Sequence, residues 1–148
     1  MRTRKTNFLQ TVILFTGIIY ILTGGLFALS PHLFGNIFSL EINEDWFNEI
    51  PKDAFIFMVL TFSRSTSCLL LSIGLSMVLP LFDPLKYRGM VYFTGVVFPL
   101  LSALMFTINT FTNASGAMIL YAVLFWIILL LTSTALWITR GTVKSGIE

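Results

Sequence analysis

Long uncharged apolar runs alternate with short polar segments along the chain, and the run lengths match a bilayer crossing. No formal charge occurs over residues 6–40, and the apolar stretch at about 8–29 is stopped by Ser30 and Pro31, which predicts a first membrane span. A second span is expected at 54–79, ending at Pro80, because proline offers no N–H to the helical ladder and restricts the residue before it. After Arg88 there is no charge until Arg140, too long for one helix, and the polar cluster at 109–116 divides this stretch into spans at about 90–108 and 117–139. Helices of these lengths cross a ~30 Å hydrocarbon layer at ~1.5 Å per residue. Short connections after the second and third spans force antiparallel neighbours. The expected fold is therefore an all-α membrane protein, a four-transmembrane-helix antiparallel up-down bundle forming a single integral membrane domain over 1–148.

Composition agrees, since 56% of residues are hydrophobic and 11% charged, where soluble chains carry about 25% charged residues. Cys68 is the single cysteine and His32 the single histidine. An intrachain disulfide, a thiolate metal site and a histidine-based metal site are all excluded, and no cofactor motif is evident.

Seven of the nine basic residues fall on one side of the predicted topology: Arg2, Arg4 and Lys5 before the first span, Lys86 and Arg88 between the second and third, and Arg140 and Lys144 after the fourth. The positive-inside rule then places both termini in the cytoplasm and the chain in the cell (inner) membrane as a multi-pass protein. The basic residues are scattered over three short segments with no basic face, so nucleic acid is not an expected partner. A cleaved signal peptide ending near Ala28-Leu29-Ser30 is the weaker reading of the N-terminus, because the apolar run is too long and Pro31 would follow the cut. The outer loop at 31–52 mixes carboxylates with Leu33, Phe34, Trp46 and Phe47. It is expected to lie on the membrane, with Asn43 or Asp45 capping a short helix through Trp46 and Phe47.

Arg64 is the one charge inside a predicted span. Counted from the outer end it lies ~15 Å deep, where a cation costs roughly 3 kcal/mol. Thr61, Arg64, Ser65, Cys68, Ser72 and Ser76 recur at helical spacing and form one polar stripe, which is expected to face the bundle interior and to serve close helix packing. Similar counting places Tyr20, Ser102 and Trp126 near the same level, at ~14–18 Å, so a candidate ligand layer groups Arg64 with the Tyr20 and Ser102 hydroxyls and the Trp126 ring. No carboxylate is positioned deep in any span to neutralise Arg64. One reading gives it the anionic or carbonyl end of a lipid-like or quinone-like ligand as partner; the other has it snorkel or be satisfied by carbonyls and hydroxyls, fixing helix packing only. Small residues Gly24, Gly25 and Ala28 in the first span, and Gly95, Pro99 and Ala103 in the third, have helix-packing spacing, and Pro99 is expected to kink its helix.

The Gly-rich first span ending in Leu29-Ser30-Pro31, the outer loop, Arg64 followed by small residues and Ile73-Gly74-Leu75, and Lys86 and Arg88 before the third span resemble the DoxX-like small four-helix membrane proteins of unknown function. The likeness covers about 18–137, and residue by residue it rests on Arg64 and Gly74; the long acidic outer loop departs from the pattern. The resemblance implies a bacterial cytoplasmic-membrane protein, some of whose relatives accompany redox or quinone-linked enzymes. The leading expectation is a non-enzymatic accessory or lipid- or quinone-like-ligand-binding subunit that associates with a second copy or with another membrane protein. Two alternatives are a small oligomeric transporter or channel with Arg64 lining the path, and a membrane enzyme acting on a lipid or quinone.

Overall fold

The computed structural model describes residues 4–38, 43, 45, 53–112 and 115–144, for 141–144 the backbone only. All regular structure among them is helical: α1 (Arg4–Leu29), α2 (Pro31–Ile37), α3 (Ala54–Ser76), α4 (Val78–Phe82), α5 (Arg88–Tyr92), a π-helical turn (Phe93–Val97), α6 (Phe98–Thr112) and α7 (Gly116–Lys144). Four units are long and apolar enough to cross a membrane: α1, α3 with α4, α5 to α6, and α7. Large apolar side chains ring the outside, Leu22, Phe62, Leu101 and Leu130 among them. A water-facing surface would not carry so continuous an apolar belt, and a lipid-facing one requires it.

The first long helix ends at Leu29, just ahead of Ser30 and Pro31 as expected, whereas Pro80 acts differently from expectation. Pro31 is the first residue of α2, where its missing N–H costs nothing, so the helix restarts after a one-residue break at Ser30. Pro80 does not stop the second span. The helix breaks earlier, at Met77, and α4 restarts so that Pro80 sits in its first turn, where no N–H partner is needed. The second crossing therefore runs on to Phe82. Pro99 acts through the π-helical turn just before it, which widens the helix where the proline ring would crowd the preceding carbonyls.

The helices are held in the order α3, α1, α7, α6. Between α1 and α3 the packing is backbone-close. The Ser63 hydroxyl donates to the Phe27 carbonyl (2.9 Å) and the Ser67 hydroxyl to the Gly24 carbonyl (2.6 Å). Gly74 faces the backbone of Gly17 and Ile21. Small residues at such crossings let helices gain dispersion contact, and each interhelical hydrogen bond adds roughly 0.6 kcal/mol in a membrane. The packing role expected of Gly24, and of Gly95 and Ala103 in the third span, is observed: Gly95 abuts Thr132 of α7, and Ala103 is fully buried. Gly25 meets nothing and Ala28 is exposed.

The first and last helices start and end on one side of the bundle, the terminal end; α2 lies across the other, the loop end, against α1, α3 and α7. Asp53 caps α3 through the Phe55 N–H (2.8 Å). Ser115 ties the loop end together: its hydroxyl accepts from the Met118 N–H (3.1 Å) and donates to the Ile37 carbonyl (2.8 Å). The expected helix through Trp46 and Phe47 lies outside the described residues.

Candidate functional site

The bundle is not closed. At the terminal end the second and third spans meet through the Thr94 hydroxyl, which lies 3.2 Å from the Met77 sulfur. Towards the loop end α3 and α6 separate and share at most marginal contact. The wedge between them is a cavity of about 560 Å³, in the size range of small-molecule pockets. Its walls are Phe62, Thr66 and Leu69 of α3 and Phe98, Ser102 and Phe106 of α6. Thr23 and Phe27 of α1 with Tyr121 and Phe125 of α7 close the back, and α2 roofs it with Phe34 and Phe38. Phe55, Met58, Phe62, Leu69 and Met105 line it while remaining half-exposed, so the mouth opens sideways between two helices, towards where acyl chains would lie.

The back wall is rigid for an identifiable reason. A continuous chain of ring contacts runs from Tyr20 to Phe98 (5.6 Å, edge-on), Phe125 (6.1 Å), Phe106 (5.8 Å, stacked), Tyr121 (5.9 Å, stacked), Phe27 (5.9 Å) and Phe34 (5.4 Å, edge-on). Such pairs add ~0.5–1.5 kcal/mol each beyond the area they bury. At the foot of the chain the buried Tyr20 hydroxyl donates to the Thr94 carbonyl (2.8 Å). This carbonyl needs an outside partner. The Phe98 N–H that would normally reach it is turned to Phe93 by the π-helical turn, and the next residue, Pro99, has no N–H. Tyr20→Phe should therefore cost about 1–3 kcal/mol, the penalty of a stranded buried carbonyl, read as a lower unfolding midpoint in detergent.

Inside the cavity the polar groups are few. The hydroxyls of Thr23, Thr66 and Ser102 line it, and none has a hydrogen-bond partner among the described residues. Several other helical hydroxyls turn back onto their own carbonyls, as Thr61 does to Phe57 and Thr107 to Ala103. Three unengaged hydroxyls in an apolar pocket can donate to a carbonyl, ester or hydroxyl oxygen of a bound molecule.

Arg64 is not one of the lining residues, which corrects the expectation built on it. It is exposed, on the face of α3 turned away from the cavity, and has no hydrogen-bond or ion-pair partner among the described residues. Its depth also differs. The Ser63 bond to Phe27 places Arg64 level with Leu26, about 5 Å short of the loop end of α1. At the other end Gln10 Nε2 donates to the Leu81 carbonyl (2.7 Å), and a ~30 Å layer counted from there along the helix ends near Thr61. A hydrocarbon layer beginning at that level would leave the guanidinium within reach of the headgroups along its own long stem. Counting from Ala54 gives a greater depth because α3 begins well above the end of α1.

The stripe shares this outcome. Thr61, Ser65, Cys68 and Ser72 are exposed and Ser76 is half-buried, bonding its own Ile73 carbonyl (2.7 Å). They do share a face, but it points outwards; the packing face is Ser63, Ser67 and Gly74. Of the other candidates, Ser102 lines the cavity, Tyr20 supports its back wall, and Trp126 lies at the surface, donating from Nε1 to the Thr107 hydroxyl (3.1 Å). The Arg64, Tyr20, Ser102 and Trp126 layer therefore does not assemble. Sequence reasoning missed Thr23, Thr66 and the aromatic wall. Phe55, Met58, Phe62, Thr66 and Leu69 do recur at helical spacing, but an apolar stripe on a spanning helix reads equally as lipid-facing.

Among the described residues no cluster of three or more His, Cys, Asp or Glu side chains could hold a metal ion. No protein-family profile, no characterised protein and no solved structure matches this chain.

Proposed function

We propose that this four-span membrane protein binds an apolar, lipid-like or quinone-like molecule in the cavity between its second and third spans, as a binding or accessory subunit and not as a catalyst. The observation that carries this reading is the sideways mouth of an aromatic-walled pocket whose three hydroxyls lack partners among the described residues. An apolar tail would enter from the hydrocarbon without crossing water, and an oxygen-bearing head would take hydrogen bonds from Thr23, Thr66 or Ser102. Charge placement supports an orientation with the terminal end in the cytoplasm, which would put the cavity in the outer leaflet. The scale of the protein suits the DoxX-like resemblance, and a quinone-linked role would follow from it.

The test is to extract the full chain in mild detergent and measure bound mass by native mass spectrometry, alone and after adding a long-chain benzoquinone or a phospholipid. One apolar molecule per chain is the expected result, and Arg64→Leu should leave its occupancy unchanged because Arg64 faces away from the pocket. A chain that stays empty with both probes would overturn the reading.

A further inference from the structure

A second pocket, independent of the first, lies at the terminal end between the third and fourth spans, with a volume of about 650 Å³. Gly95 lets α7 approach closely at Thr132. From there towards the terminal end the two helices leave a groove walled by Tyr92 and Val96 on one side and Ser133 and Trp137 on the other. Gly89 opens into it, since a side chain placed there would meet nothing within 4 Å. Arg88 and Arg140 also line it. Arg88 is half-buried and is held in place by one hydrogen bond, from Nη2 to the Leu136 carbonyl (3.3 Å). That bond uses one of its five N–H groups. Arg140 is exposed, and Asp83, the nearest carboxylate in sequence to Arg88, accepts from the Lys86 N–H instead.

We infer that this groove binds the phosphate group of an anionic amphiphile, with the phosphate between Arg88 and Arg140 and an apolar chain laid along Val96 and Trp137. Two arginines lining one groove can share the oxygens of a phosphate, and arginine holds such an oxyanion by paired, charge-assisted hydrogen bonds. The groove extends from Val96 to Arg88, about 12 Å along the helix, so it joins headgroup level to hydrocarbon in one continuous surface. A basic pocket between spans, open to the bilayer, is the arrangement that selects an anionic lipid over a zwitterionic one. The aromatic rings at its rim belong at the same interface.

The full chain in mild detergent, offered phosphatidylglycerol and phosphatidylcholine in competition, tests this by native mass spectrometry. Phosphatidylglycerol should be retained preferentially, and Arg88→Gln with Arg140→Gln should lower its retention about tenfold or more. Arg140→Gln alone and Gly89→Leu alter an exposed residue and an open position, so they fold even if the double variant does not, and each should weaken retention. Lys86→Gln, which removes a nearby cation outside the groove, should leave it unchanged. Displacement by millimolar inorganic phosphate would show that the oxyanion alone suffices, and persistence would show that headgroup and chain bind together; either sustains the proposal. Equal loss in Lys86→Gln would reduce the effect to diffuse surface charge and overturn it, as would full retention in the two single groove variants.

Discussion

Gly74→Ala is expected to destabilise the bundle by about 3 kcal/mol, and Gly74→Val to abolish folding in mild detergent, because nothing around this position can give way. A methyl group there would lie 2.7 Å from Ile21 Cγ1, 3.0 Å from the Gly17 carbonyl oxygen and 3.1 Å from the Ile21 nitrogen. Two of these three are backbone atoms of α1, so relief requires the helices to move apart, which also stretches the Ser67 bond to Gly24. Gly25→Ala supplies the contrast. It lies in the same span with nothing within 4 Å, and replacing a helical glycine by alanine stabilises by up to ~1 kcal/mol. Unfolding curves of the two variants should move in opposite directions. A common shift would mean that α1 and α3 are not held by this close crossing.

Filling the cavity is expected to have the larger functional effect. Ser102→Phe places a ring in the space between α3 and α6 and should reduce occupancy by the apolar ligand about tenfold or more, while stability holds or rises as the void closes. The milder pair Thr66→Val with Ser102→Ala removes two hydroxyls and keeps the cavity. Each lost hydrogen bond is worth about 1 kcal/mol, so affinity for an oxygen-bearing ligand should fall roughly fivefold per site. A ligand without oxygen should be indifferent to that pair. If Ser102→Phe bound as well as the parent chain, the molecule would have to sit elsewhere, on the lipid-facing surface.

How much of this was legible beforehand depends on the kind of physics behind each feature. The four spans follow from run length and hydropathy alone, because a bilayer imposes one length scale on every crossing. The spacing of Gly24 in α1 and of Gly95 and Ala103 in the third span also signals contact, and contact is what the structure has there. Arg64 misled for a clear reason: a charge flanked by apolar residues looks buried when depth is counted along one helix. The offset between α3 and α1 that sets Arg64 level with Leu26, near the loop end of α1, is fixed by Ser63 and Ser67 meeting Phe27 and Gly24, residues on another span.

The amino-acid order by itself determined that the chain is an antiparallel four-span bundle with its basic residues gathered at one end, since these depend on local composition and on segment length. Which of two small-residue faces of α3 turns inwards, where Arg64 lies, and that α3 and α6 part to leave an aromatic pocket were decided only by tertiary packing. Both faces of α3 offer serines at helical spacing, and only the presence of a matching glycine face on α1 selects between them. The Pro99-linked π-helical turn and its Tyr20 partner are likewise a pairing across 74 positions of sequence, which no local pattern can specify.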